Sequence, residues 1–485
     1  MGAGTAASRE QCGGQRFDAI VGAVTSATTT LLILGASGDL TSRLLLPALG
    51  ELLTREPDRH VHLRGAGMDD WDDTHWRDVV KTSFAAGDAD AAFAAVDQTT
   101  YTRADITKAD DLQRLVHGVD GPLALYFAVP PAIAARACEA LADVTLPEGT
   151  ILALEKPFGT DADSAHALNR TLEQLVPENQ IFRVDHFLGR STLLNLLGVR
   201  FANRVIEPVW NAEHVESVLV RFDEALGLEG RAGYYDKAGA MIDMIQSHLL
   251  QVLAFLAMTA PASLDERDLR DATGAALRAT HVWHDDPASA SRRARYTAGS
   301  IGDRTFPSYV DEPGVDPSRH TETLAEVTFA VDTARWAGVP FTLRSGKAIG
   351  EPVREIVVQF RPVRHVPTGL TGDASGSVMR FSLGPDVLSL ELNVNGADDP
   401  FELERIGLTA DLGAGALRAY GEVLSSILDG DAALAVRGDA AEQCWRIVQP
   451  VIDAWRADDV PLDEYPAGAS NPTGWPSHTT PPLKH

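Results

Sequence analysis

The chain has 485 residues, 45% of them apolar and 23% charged, which is material for two or three domains with ample cores. It carries 42 basic and 68 acidic residues, a net charge of −26. That balance argues against general nucleic-acid or anionic-membrane binding, and an anionic ligand would need a local cluster of basic groups.

Residues 1–27 are small and polar, with Arg9, Glu10, Arg16 and Asp18 scattered among them. They lack the apolar core of a secretory signal and read as a flexible tail on a cytoplasmic protein. Cys12, Cys138 and Cys444 are widely spaced and odd in number, so neither a disulfide framework nor a zinc spacing follows. No uninterrupted apolar run is long enough to span a bilayer.

From residue 28 to about 189, short apolar runs alternate with helical stretches: TTTLLILG, VHLRGAG, PLALYFAVP, TILALEKPFG and QIFRVDHFLG. Such a pattern predicts a parallel sheet covered on both faces, with the clearest helices over 132–143 and 164–176. After Arg190 the texture changes. A helix is predicted over 191–203. SVLVRFDE, LAEVTFAV, VPFTLRSG, REIVVQFRPV and VLSLELNVN then alternate, as strands of an antiparallel sheet do. Further helices are predicted over 239–258, 413–428 and 439–455. The tail from Ala467 is rich in Pro, Ser and Thr and reads as irregular.

LLILGASGDLTSR is a strand, a tight turn and a helix start. Gly35 allows a sharp turn, Gly38 lets backbone approach a ligand, and the helix start behind them offers N–H groups to a phosphate. Gly35, Ser37, Gly38, Asp39 and Leu40 are the candidate cofactor-binding residues of this loop. The pattern is G-x-x-G, shorter than the full dinucleotide fingerprint, and a plain glycine turn also satisfies it. Its place after the first strand of an α/β region favours dinucleotide binding. GAGMDDWDD follows the second strand. Asp69 and Asp70 there suit a ribose 2′-hydroxyl and would repel a 2′-phosphate; they equally suit the cap of the next helix.

ALEKPFG places Glu155 and Lys156 at the carboxyl end of a strand, where open parallel sheets bind ligands. A lysine there suits a substrate hydroxyl or phosphate, and equally a surface lysine with a buried stem. GRAGYYDKAGAMIDMIQSHLLQVLAFLAM is an apolar helix interrupted by Asp243, Gln246 and His248, which need partners. A lone histidine in such a helix is more often a satisfied core residue than a catalyst. At about 100° per residue, Asp243 and His248 stand about 140° apart and border one cleft only if the helix crosses its floor. In VDHFLGR, Asp185 suits a carboxylate that orients an imidazole, and His186 with Arg190 suits an anion.

Together, GASGDLTSRLLLPAL, EKPFG, RVDHFLGRSTLLNLLGVRFAN, GRAGYYDKAGAMIDMIQSHLLQVLA, VPFTLRSGKAI and AEQCWRIVQPVIDAW resemble the glucose-6-phosphate dehydrogenase family. The resemblance runs from about residue 31 to 455. It implies an α/β fold: an N-terminal Rossmann-like parallel-sheet domain, placed over 28–189, and a larger β+α domain with an antiparallel sheet, placed over 190–466; the composition adds tails at 1–27 and 467–485. It implies oxidation of glucose 6-phosphate to 6-phosphoglucono-lactone with NADP or NAD, and a homodimer or homotetramer built on the antiparallel sheet. It makes His248 the general base, Asp185 its orienting carboxylate and Lys156 a residue that contacts substrate and helps place the nicotinamide. His186, Arg190, Glu224, Asp243 and Lys347 become substrate-binding; Asp69 stays a candidate cofactor-binding residue on the ribose reading above. No metal is implied.

The chain departs from the family pattern in places. DHFLGR stands where DHYLGK is usual, so Phe187 lacks a hydroxyl and Arg190 replaces a lysine. Pro352 takes the place of a second basic residue, with Arg354 two positions on. Leu44 and Ser247 replace a lysine and an asparagine. Met68 stands where NADP-using members carry arginine, so NAD use at least comparable to NADP is expected. The alternatives are a dehydrogenase of a related phosphosugar, and a catalytically weak paralogue acting as a binding subunit.

Overall fold

The computed structural model describes residues 28–84, 89–413 and 415–478. The tail expected over 1–27 lies outside the described residues, as do residues 479–485 of the tail expected at the other end.

Six parallel strands form the first sheet: β1 (Thr29–Leu34), β2 (Val61–Gly67), β3 (Thr100–Arg103), β4 (Leu123–Phe127), β5 (Ile151–Glu155) and β6 (Ile181–Val184). Their order is β3-β2-β1-β4-β5-β6, so the order reverses beside β1. β1 is buried at every position, as an inner strand covered on both faces must be. One face carries Leu31, Ile33, Ala124 and Tyr126 into a core shared with Leu46, Leu49 and Trp76. The other carries Leu32, Leu34, Leu123 and Leu125 against Ala137 and Leu141. Helices of the second half also cover this sheet. Val423, Leu424 and Ile427, from the helix Ala419–Asp429, sit in the first of these cores. That helix starts at Ala419, not near residue 413.

The second sheet is mixed, not purely antiparallel. β7 (Val215–Asp223) lies at its centre, antiparallel to Arg354–Phe360 and parallel to Phe341–Gly346. Leu462–Pro466 adds a further parallel pairing, to Ser291–Thr297. Parallel neighbours need a long crossover, and the chain between β7 and Phe341 supplies helices, chief among them the run Ala232–Ala257. That helix is the one described helix long and apolar enough to cross a membrane by length and composition, but 83% of its apolar window is buried inside the fold. It starts seven residues before the expected Gly239, which instead interrupts it with φ 63° and ψ −178°.

Candidate active site

β5 and β6 end side by side, and the residues after them turn toward the Ala232–Ala257 helix. Between these elements lies a cavity of about 700 Å³. Asp39, Leu40, Lys156, His186, Arg190, Glu224, Asp243, His248 and Lys347 all line it. Asp185 stands behind His248, 1% exposed. Gly35, Ser37, Gly38 and Asp69 do not line this cavity; they lie along the carboxyl edge of β1 and β2, where the Gly35 and Ala36 N–H groups both donate to the Ala66 carbonyl, at 2.8 and 2.9 Å.

The helix reaches the cavity with an altered pitch. Met241–Leu249 is π-helical. Hydrogen bonds from i to i+5 bring residues five apart to neighbouring positions on the helix surface. Asp243 and His248 therefore share a face, and the 140° separation of an α-helix does not arise. Asp243 accepts from Lys156 Nζ twice, through its side-chain Oδ1 and its backbone carbonyl, both at 2.8 Å. Burial pushes the Asp243 carboxyl up, but the charge and hydrogen bond of Lys156 outweigh it and hold the group below the ordinary range. Ser247 Oγ donates to the same Asp243 carbonyl at 2.7 Å. Across the cavity, Lys347 Nζ donates to Glu224 Oε2 at 2.7 Å.

His248 Nδ1 lies 2.5 Å from Asp185 Oδ1, which also accepts from the Phe187 backbone N–H at 2.9 Å. An ionised carboxylate only accepts, so the proton is assigned to Nδ1. Nε2 then carries a lone pair and has no hydrogen-bond partner among the described residues. Burial, followed by the charge of Lys156, holds the His248 pKa well below the ordinary histidine range, so the imidazole is neutral. Burial raises Asp185 to about 6. Phe187 stacks on the His248 ring with centroids 4.2 Å apart and 14° between planes, fixing its tilt. The Arg190 guanidinium covers the same Phe187 ring at 4.4 Å and donates through Nη1 to the Leu383 carbonyl at 3.0 Å. His186 is lowered to about 3, chiefly by burial, so its imidazole is neutral. Asp185, His186 and His248 offer ligand atoms within 4.8 Å of one another; Asp185 Oδ1 is committed to His248 and Phe187, while its Oδ2 is buried without a hydrogen-bond partner among the described residues.

Two features of the site escaped the sequence. Tyr420 lines the cavity and stacks on His186 at 5.5 Å with 10° between planes. It arrives from the distant helix Ala419–Asp429, and no charged motif marks it. Glu155 accepts from the Tyr126 hydroxyl at 2.5 Å, and burial raises its carboxyl to about 7. Its place beside Lys156 was visible, its tyrosine partners were not.

At the dinucleotide edge, Gly35 has φ +90°, and a Cβ there would lie 2.5 Å from the Ala128 carbonyl oxygen. The turn therefore needs glycine and leaves the start of the following helix open to a phosphate. Asp72, not Asp69 or Asp70, caps the helix Asp73–Ser83, accepting from His75 N–H at 2.8 Å. The aspartates expected to face a ribose are thus free of the capping role.

A doubly covered parallel sheet with a glycine turn, joined to a larger sheet domain across a cavity with an imidazole–carboxylate pair, defines a two-domain α/β protein of the dinucleotide-binding class. The chain belongs to the glucose-6-phosphate dehydrogenase family. Residues 32–195 match the family's NAD binding domain and residues 197–479 its C-terminal domain. The chain is 38% identical to a glucose-6-phosphate 1-dehydrogenase of Gluconobacter oxydans, with 91% of this chain and 94% of that one covered. Identity to the Treponema pallidum protein of the same name is 33%, covering 93% and 94%. A solved glucose-6-phosphate dehydrogenase in complex with its substrate glucose 6-phosphate superposes with a TM-score of 0.81 at 30% identity, covering 92% of this chain and 96% of that one.

Proposed function

We propose that the protein oxidises glucose 6-phosphate at carbon 1 to 6-phosphoglucono-lactone, with NADP or NAD as the acceptor and substantial NAD use. The observation that carries this reading is the His248–Asp185 pair, set in a cavity whose rim bears Lys156, Lys347, Arg190 and His186. In this reading the 1-hydroxyl donates to His248 Nε2, which takes its proton as the carbon–hydrogen bond opens. Asp185 fixes the tautomer and stabilises the imidazolium that forms. Lys156, pinned by Asp243, positions substrate and nicotinamide. Glu224 and Asp243 hold sugar hydroxyls, Lys347 binds substrate beside Glu224, and Arg190 and His186 receive the phosphate. The dinucleotide, when bound, supplies the hydride acceptor, held by Gly35, Ser37, Gly38, Asp39, Leu40, Asp69 and Lys156.

We further propose domain limits near residue 189, a cytoplasmic location and a homodimer or homotetramer. The strand Glu402–Asp411 supports the last, because it leaves Leu408 53% exposed on the second sheet.

The test is absorbance at 340 nm with purified protein, glucose 6-phosphate and either NAD or NADP. Turnover with NAD within about tenfold of that with NADP in kcat/KM supports the reading. Preference for NADP by orders of magnitude removes the cofactor part of it. Turnover of another 6-phosphosugar alone, or ligand binding without turnover, replaces it with one of the alternatives.

A further inference from the structure

Read along the chain, the end of β2 offers a 2′-phosphate only the carboxylates of Asp69 and Asp70. The fold places a cation beside them. β3 runs parallel to β2, and Arg103 is the register partner of Gly67 at the carboxyl end of that pair. Arg103 Nη1 donates to Asp70 Oδ1 at 3.3 Å. Both side chains face solvent, 61% and 90% exposed. The neighbouring Tyr101 hydroxyl donates to the Asp69 backbone carbonyl at 3.2 Å, and it and the Ser37 hydroxyl of the glycine turn both crowd Gly67, where a built Cβ would lie 2.8 Å and 3.2 Å from them. The turn, the acidic loop and the end of β3 therefore meet at one edge, although they are 37, 69 and 103 residues along the chain.

We propose that Arg103, held in reserve by Asp70, selects between the two dinucleotides. This rests on the reading above, in which the adenosine ribose lies at the carboxyl end of β2. An exposed ion pair is weak, because water and salt screen it. A phosphate offers the guanidinium fork a bidentate, doubly charged partner, so Arg103 leaves Asp70 for a 2′-phosphate. When the ribose carries a free 2′-hydroxyl, Arg103 stays on Asp70 and the Asp69 carboxylate accepts from the hydroxyl. Asp70 thus competes with the 2′-phosphate for one cation. Arg103 takes over the task for which Met68 has no charge.

The experiment is calorimetric titration of the full-length protein with 2′,5′-ADP and with ADP, without sugar phosphate. Arg103→Ala is expected to weaken 2′,5′-ADP at least tenfold and to leave ADP within twofold. Asp70→Asn is expected to act in the opposite direction, tightening 2′,5′-ADP several-fold relative to ADP. The kcat/KM ratio of NADP to NAD should move with these affinities. Equal losses of both nucleotides in Arg103→Ala, or no change in either, overturn the role of Arg103 and leave the dinucleotide reading standing. A wild-type protein that binds neither nucleotide overturns both.

Discussion

His248 is buried, neutral and bonded through one nitrogen only. In the proposed role its loss removes proton transfer but leaves the cationic rim intact. His248→Asn is expected to lower kcat by about 10²–10⁴-fold with a much smaller change in KM for the sugar phosphate, measured by steady-state kinetics. Asp185→Asn should also lower kcat, because an amide can present N–H to Nδ1 and favour the wrong tautomer. The pH dependence has a definite sign. The base works only when neutral, and burial depresses its pKa. The acid limb of kcat/KM is therefore expected below the ordinary histidine value of about 6.5, and a limb above it would contradict the burial argument. The residue types were legible in EKPFG, VDHFLGR and SHLLQ. Their meeting was not, since Lys156 and Asp243 are joined only through the fold.

At the scale of elements, the Ala232–Ala257 helix decides the geometry of the site. Its first part ends at Gly239, whose φ of 63° and ψ of −178° suit glycine alone. A Cβ at that position would lie 2.2 Å from Glu322 Oε1, and the same oxygen accepts from Met241 N–H at 2.9 Å. Gly239→Ala is thus expected to cost about 1–3 kcal/mol from strain and more if Glu322 is displaced, read from urea midpoints. It should also lower kcat, because Asp243 and His248 lie just beyond the break. The sequence showed the apolar helix but not its pitch. Period analysis assumes 3.6 residues per turn, and a π-helical stretch is invisible to it.

For the whole molecule, buried ionisable groups couple stability to pH. Burial raises Glu322 to about 7 in the fold, against an ordinary glutamate value of 4.5. Between those values the folded state holds a proton that the unfolded chain has lost, so stability falls as pH rises from 4.5 to 7. His186 and His248 act oppositely. Their depressed values mean that the unfolded chain binds more protons below about 6.5, so their part of the stability is lost as pH falls through that point. Glu322→Gln keeps an acceptor for Met241 without the titration. The Tm difference between this variant and the parent is expected to grow from pH 4.5 to 7 and level off above it. A difference that stays flat across that range would show that Glu322 does not titrate as buried. The exposed sheet face offers a second test at this scale. Leu408→Asp is expected to shift the proposed oligomer toward monomer in light scattering, without loss of secondary structure.

What the sequence by itself determined were the local terms. Apolar runs specified β1, β4 and β5, glycine specified the turn at Gly35, and residue chemistry marked Asp185, His186 and His248, because each depends on neighbours a few positions away. Tertiary structure alone decided the long-range ones. It set Arg103 against Asp70, Tyr420 against His186, and a parallel neighbour beside β7. Such pairings depend on how sheets close and helices cross, and no pattern confined to one segment carries that information.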